Sequence, residues 1–126
     1  MVVSDTSPLN YLVWTELAEI LPKLYGEVII PPEVHTELLA ADAPRIVRVW
    51  ANDLPRWVKV HAPDPALRDG PRLASLDLGE RAAISLAATI HPSLLLVDER
   101  SGTAIARSLG LRATGTLGVL DEAART

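Results

Sequence analysis

Ser93-Leu94-Leu95-Leu96-Val97-Asp98-Glu99 is an almost wholly apolar run that stops on an acidic pair, and Val2-Val3-Ser4-Asp5 opens the chain with the same device. Continuous aliphatic runs of this length fit strands buried on both faces, as parallel strands are. In open α/β sheets the ligand crevice lies outside the carboxyl ends of the strands. Two strands that end in Asp therefore point to one acidic site along one edge of a sheet.

Outward from these runs, apolar segments alternate with helical patterns, the order expected of βαβ units and a mainly parallel sheet. Ser7-Pro8 has the form of an N-cap followed by Pro at the first helical position, and Leu9, Leu12, Val13, Leu17, Ile20 and Leu21 recur at helical spacing up to Pro22. One bent helix or two short ones fit this stretch. Glu27 to Ile30 forms a second strand, and Pro31-Pro32 ends it and starts a helix through Val34, Leu38 and Leu39, with Glu37 in its second turn. Ala43 to Ala51 is a further helix and Trp57 to Val60 a less buried strand. The Pro-rich segment His61 to Pro71 is expected to be a loop. Helices then follow over Gly79–Ile90 and Glu99–Leu109, the latter closed by Gly110, with a strand at Leu94–Val97 between them. Leu111 to Ala113 gives a last short strand before a helix from Thr116 to Ala124.

The 126 residues fit one domain, residues 1–126, large enough to bury about two thirds of the surface exposed when unfolded. Aliphatic side chains supply most of the 48% hydrophobic content, for there is no Phe. The absence of Cys excludes disulfides, thiolate metal sites and Cys nucleophiles, and it suits a reducing cytoplasm, the expected location. No run approaches the length needed to span a bilayer, so no membrane partner is expected. A net charge of −4 argues against a basic coat over the whole surface. Yet six of the twelve basic residues, Arg45, Arg48, Arg56, Lys59, Arg68 and Arg72, fall in one middle stretch, a candidate polyanion-facing side.

Asp5, Glu37, Glu80 and Asp98 fall at strand ends or in early turns of the following helices, and parallel winding would bring them to one edge. Carboxylates so gathered repel one another and either take up protons or recruit a cation. Hard Mg²⁺ or Mn²⁺ prefers oxygen ligands. Such an ion can activate water and neutralise charge developing on a phosphodiester. Each acid also has a local role open to it. Asp5 can form an Asx turn before Ser7, Asp98 can cap the next helix, Asp77 and Glu80 have the spacing of a capping box, and Glu37 can be an exposed helical residue.

These blocks resemble the PIN-domain ribonucleases, in particular the compact prokaryotic members related to toxins of toxin-antitoxin pairs. Val2 to Leu9 is similar to the family's opening strand and first acid, and Pro31 to Leu38 to its helix-borne Glu. Leu76-Asp77-Leu78-Gly79-Glu80-Arg81 resembles its third acidic segment, and Leu95 to Arg100 its fourth strand and acid. The resemblance implies a three-layer αβα sandwich with a mainly parallel sheet of four to five strands. It implies that Asp5, Glu37, Glu80 and Asp98 hold one or two divalent cations, Mg²⁺ or Mn²⁺, for RNA cleavage, with Thr6 and Ser7 in support. Many members place Asp where Glu80 stands, which makes Asp77 a rival ligand, and Glu99 is a lesser rival to Asp98. Related chains often continue with further C-terminal helices beyond the position of Thr126, so a truncated or a minimal member is expected. An antitoxin-like protein and a second copy of the chain are the implied partners.

Other motifs discriminate less. His35, His61 and His91 show no ligand spacing, and Trp50 and Trp57 flank the basic stretch, where packing is the simpler use and base stacking the bolder one. Gly115-Thr116-Leu117-Gly118 lacks the Gly spacing and Lys of a phosphate loop. An acid-cluster phosphatase is disfavoured because Asp5-Thr6-Ser7 lacks a second Asp and no Lys follows a late strand. Two function classes stand against each other: a metal-dependent endoribonuclease, and a catalytically inactive PIN-like module that acts through a protein partner or dimer.

Overall fold

A computed structural model describes residues 1–126 with the exception of Glu99. Five short strands, β1 (Val2–Ser4), β2 (Val28–Ile30), β3 (Val58–Val60), β4 (Leu94–Leu96) and β5 (Ala113–Thr114), form one parallel sheet in the order β3-β2-β1-β4-β5. The central strands consist of Val, Ile and Leu because both of their faces are covered. Val2, Val3, Val28, Ile30, Leu95 and Leu96 have no exposed surface. The edge strand β3 is covered only at its start, burying Val58 and exposing Lys59 and Val60. A lysine there also discourages edge-to-edge pairing with another chain.

The helices are α1 (Thr6–Trp14), α2 (Ile20–Tyr25), α3 (Pro32–Leu38), α4 (Arg45–Asn52), α5 (Pro65–Arg68), α6 (Leu78–Ile90), α7 (Arg100–Ser108) and α8 (Thr116–Arg125), with a 3₁₀ turn at Pro71–Leu73. With the sheet they make a three-layer α/β sandwich. The longest helix, α6, is central. It packs against α3, α5 and α7 as well as β1 and β4, and it buries Ala82, Ala83, Ile84, Leu86 and Ala87. No helix among the described residues is long and apolar enough to cross a membrane.

Local chemistry explains where the elements depart from expectation. The first helical stretch is two helices, separated where Glu16 takes a positive φ of 61°. Pro22 does not end the second of them. It occupies the third position of α2, where a proline removes only an N–H that has no intrahelical partner. The segment from His61 to Pro71 is not a plain loop, because Asp64-Pro65 supplies an N-cap and a first helical residue for the single turn of α5. The Asp64 carboxylate accepts the Ala66 N–H at 3.0 Å, and Ser85 of α6 donates to the Asp64 carbonyl at 2.6 Å. The last strand lies slightly later than Leu111–Ala113, since the carbonyls of Arg112 and Thr114 receive the Leu95 and Val97 N–H groups.

Candidate functional site

Chain direction after the central strands creates the crevice. From β1 the chain passes through α1 and α2 to β2 on one side, and from β4 it passes through α7 to β5 on the other. This divergence is a topological switch point, where open parallel sheets leave room for a ligand. Ser4 pairs with Leu96, so Asp5 follows β1 directly at the crevice and Asp98 lies just beyond β4. The ladder continues one step past β1, as the Asp5 N–H donates to the Leu96 carbonyl at 2.9 Å.

A cleft of about 280 Å³ opens beside the switch point, on the β1–β2 side, lined by Asp5, Thr6, Ser7, Glu37, Ala40, Asp42 and Asp77. A larger hollow of about 580 Å³ lies elsewhere, lined by residues that include Tyr25, Arg107, Arg112 and Glu122. The smaller cleft has the stronger claim to chemistry because it gathers carboxylates at the carboxyl end of β1. Asp5 is only 4% exposed. Burial pushes its pKa up to about 7, helped by the negative charges of Asp77, Glu80 and Glu37 and opposed by the hydrogen bond from the Thr6 backbone N–H. The Thr6 hydroxyl donates to Oε1 of Glu37, fixing that carboxylate over the N-terminus of α1.

Asp77 and Glu80 form the capping box that their spacing announces. Oδ1 of Asp77 accepts the Glu80 N–H at 2.9 Å, and Oε1 of Glu80 accepts the Asp77 N–H at 3.3 Å. The box also aims the two acids differently. Asp77 lines the cleft beside Asp5, whereas Glu80 is buried behind it with Oε2 toward Gly102, and acts on Asp5 through its charge.

Three glycines make room for three of the acids. A Cβ on Gly79 would overlap Oε1 of Glu37, one on Gly102 would fall 2.8 Å from Oε2 of Glu80, and one on Gly115 would fall 2.5 Å from Oδ1 of Asp98. Each carboxylate lies against backbone that only glycine leaves open at that distance. Sequence reasoning missed this role, although Gly79 immediately before Glu80 and Gly115 immediately before a helix were visible signals.

Asp98 does not line the cleft; it faces α8. Its Oδ1 accepts the Thr116 backbone N–H at 2.6 Å and its Oδ2 accepts the Thr116 hydroxyl at 2.7 Å. The carboxylate thus caps α8 from across the sheet edge, where Gly115 offers no side-chain cap of its own. The helix that Asp98 is seen to cap begins eighteen residues later in the chain, while the flank of the helix that follows it directly falls on Glu99. Thr116→Val keeps the backbone bond and removes the hydroxyl. It should cost about 1–2 kcal/mol in urea denaturation, since the lost bond is charge-assisted and leaves Oδ2 without that donor. A stability unchanged within error would show that this contact does not hold the two elements together. Glu99 lies outside the described residues.

The expected acids thus come together unequally. Asp5, Glu37 and Asp77 share the cleft with Thr6 and Ser7, Glu80 stands behind it, and Asp98 is turned to Thr116. Asp42 joins the lining, a residue that the spacing of the strands did not single out. Among the described residues no three His, Asp or Glu side chains stand in a ready-made metal-binding group. The donor chemistry still fits a hard divalent cation, for the cleft offers several carboxylate and hydroxyl oxygens and neither sulfur nor imidazole. Mg²⁺ keeps much of its water and commonly takes one or two carboxylates plus substrate phosphate, so a preformed protein cage is not required.

Two of the histidines and two of the tryptophans take structural places. His35 donates from Nε2 to the Ala51 carbonyl at 2.8 Å, tying α3 to α4. His91 ends α6 in the left-handed region. Trp50 and Trp57 pack on each other, with ring centroids 6.0 Å apart and planes inclined at 51°, which favours packing over base stacking. The basic stretch is not one free face, because Arg68 is bound to Glu33 at 2.7 Å and to Asp69 at 2.8 Å.

A family model described as a PIN domain matches residues 1–126. No curated protein matches the chain. PIN domains are in general nucleases and typically use divalent metal ions. Parallel sheet, acidic switch point and matched sequence agree, and the chain belongs to the PIN-domain family.

Proposed function

We propose that the protein is a Mg²⁺- or Mn²⁺-dependent endoribonuclease that hydrolyses RNA phosphodiester bonds at the Asp5 cleft. One observation carries this reading. Asp5 is buried at a strand end among the charges of Asp77, Glu80 and Glu37, and none of Asp5, Glu37 and Asp77 makes an ion pair with a cationic side chain among the described residues. Negative charge held in this way is costly unless protons or a cation offset it. Asp5, Glu37 and Asp77 would hold the cation at the cleft, with Glu80 and Asp98 completing the acidic surroundings. When bound, it would supply Lewis acidity toward water and phosphate. Thr6 positions Glu37, and Ser7 offers a hydroxyl donor to a phosphate oxygen at the mouth.

Under this reading the protein works in the cytoplasm as the toxin of a toxin-antitoxin pair. An antitoxin-like protein restrains it, and a second copy of the chain is its homodimer partner. Exposed Tyr11 and Trp14 on α1 supply apolar surface of the kind such contacts bury.

Cleavage of RNA should require added Mg²⁺ or Mn²⁺ and stop with a chelator. Asp77→Asn and Glu80→Gln should then separate the two rivals, because Asn still caps a helix and Gln still completes a capping box. Asp77→Asn should lower kcat/KM by about 10²-fold or more, and Glu80→Gln by less. If RNA is cleaved equally well by wild type with chelator, the metal-dependent reading fails. A larger loss in Glu80→Gln would make Glu80 the ligand.

A second reading, a catalytically inactive binding module, draws on the engagement of both Asp98 oxygens with Thr116. It requires that calorimetry find no Mg²⁺ or Mn²⁺ binding and that RNA remain uncut.

A further inference from the structure

Beside the acidic cleft, the connection from α3 to α4 forms a wall with a different character on each side. Ala40 and Asp42 face the cleft, while Leu39 and Arg45 border a second hollow of about 370 Å³, completed by Arg48, Val49 and Asn52. Asp42 and Arg45 are three residues apart, at most about 10 Å along the chain. A polymer lying in the first hollow could therefore continue into the second.

The second hollow is basic. Arg45 and Arg48 lie at i and i+3 on α4, and Asn52 lies at i+4 from Arg48, so the three project from one helix face. Neither arginine forms an ion pair among the described residues, in contrast to Arg68 and Arg125, which are bound to Glu33 and Asp69 and to Asp121. Arg48 carries a buried Nε–H without a hydrogen-bond partner. Planar guanidinium groups match phosphate oxygens closely, and exposed Leu39 and Val49 give apolar surface for the sugar or base beside them.

We infer that the Arg45–Arg48–Asn52 face of α4 seats backbone phosphates of an RNA strand that continues from the acidic cleft. Arg45 and Arg48 are positioning residues: they hold the strand in register and touch no reacting atom. The inference rests on the endoribonuclease reading for the identity of the polyanion. Its own content is the direction in which the substrate leaves the cleft.

The test is binding of a short fluorescein-labelled single-stranded RNA to the Asp5→Asn protein in Mg²⁺, followed by anisotropy over a range of salt. Adding Arg48→Gln should weaken binding about tenfold and lower the slope of log K against log salt by about 0.7, the share of one phosphate contact on a single strand. Arg45→Glu, at an exposed position that tolerates substitution, should weaken binding at least as much. Arg48→Lys should retain the salt slope but lose part of the affinity. In otherwise wild-type protein, Arg48→Gln should raise KM for RNA cleavage with kcat little changed.

Unchanged affinity and slope in both Arg48→Gln and Arg45→Glu would overturn the seat, even if wild type cleaves RNA. Loss of RNA binding in these variants, with no cleavage by wild type, would support the seat and sink the nuclease reading. A poly-glutamate probe that binds wild type and loses affinity in the variants, while RNA does not, would overturn the inference in favour of an acidic protein partner.

Discussion

Asp5→Asn is expected to remove RNA cleavage and at the same time make the protein more stable at pH 8. The stability gain follows from the burial that makes Asp5 useful. Its pKa is about 7 in the folded chain against 3.8 for the unperturbed group, so between those values the folded state binds a proton that the unfolded state has released. Stability therefore falls as pH rises from about 4 to about 7 and levels off above, where both states are ionised. Each pKa unit is worth about 1.4 kcal/mol, which puts the full penalty on the charged form near 4 kcal/mol. Asparagine has nearly the same shape, still accepts the Thr6 backbone N–H, and carries no charge for Asp77, Glu80 and Glu37 to repel. The variant should gain about 2–4 kcal/mol in urea denaturation at pH 8, in chelator, and nothing measurable at pH 4. Cleavage should drop by at least about 10³-fold, some 4 kcal/mol of barrier. Added Mg²⁺ should stabilise wild type at pH 8 and have much less effect on the variant, because a ligand stabilises only the state that binds it. If Asp5→Asn is no more stable than wild type at pH 8, the carboxylate is not under the strain that burial implies. If the variant still cuts RNA, the site lies elsewhere.

Features governed by near neighbours in the chain are legible in the order of residues. Runs of Val, Ile and Leu ending in Asp5 and Asp98 announce buried parallel strands, and the sheet places their ends at the switch point. Asp77 and Glu80 are three residues apart, so their capping box can be recognised from spacing alone. Contacts between distant segments are not legible in the same way. Asp98 is tied to Thr116, eighteen residues later, because the sheet edge carries the N-terminus of α8 to the end of β4. Arg68 has the look of part of a basic stretch, yet the fold brings Glu33 beside it from thirty-five residues away. Prolines around α5 hide a helical turn, since composition favours a loop while the particular pair Asp64-Pro65 favours a capped start. Glycine is the least legible of all. Whether Gly79, Gly102 or Gly115 marks a turn or a space for a carboxylate depends on which side chain the fold carries up to it.

Gly79→Ala should separate site from scaffold. Gly79 is the second residue of α6, and its backbone has no positive φ that would forbid alanine. Alanine is the better helix former by up to about 1 kcal/mol, so the substitution favours the helix itself. The added Cβ would overlap Oε1 of Glu37 and fall 2.9 Å from its Cδ, a placement that cannot persist. The obstacle is the far end of a flexible side chain, not backbone, so Glu37 can rotate away at small cost. In doing so it must leave the place where the Thr6 hydroxyl holds it. Stability should therefore change by less than about 1 kcal/mol in either direction. Catalysis should suffer far more, because displacing a working group by about 1 Å can cost on the order of 10²-fold in rate. Glu37→Gln should give a loss of similar size, and combining it with Gly79→Ala should add little, as both act on the same carboxylate. Full activity in Gly79→Ala would mean that the held position of Glu37 is unimportant to the chemistry. A stability loss of several kcal/mol would mean instead that Gly79 serves the packing of α6, and that the space it leaves for Glu37 is incidental to the site.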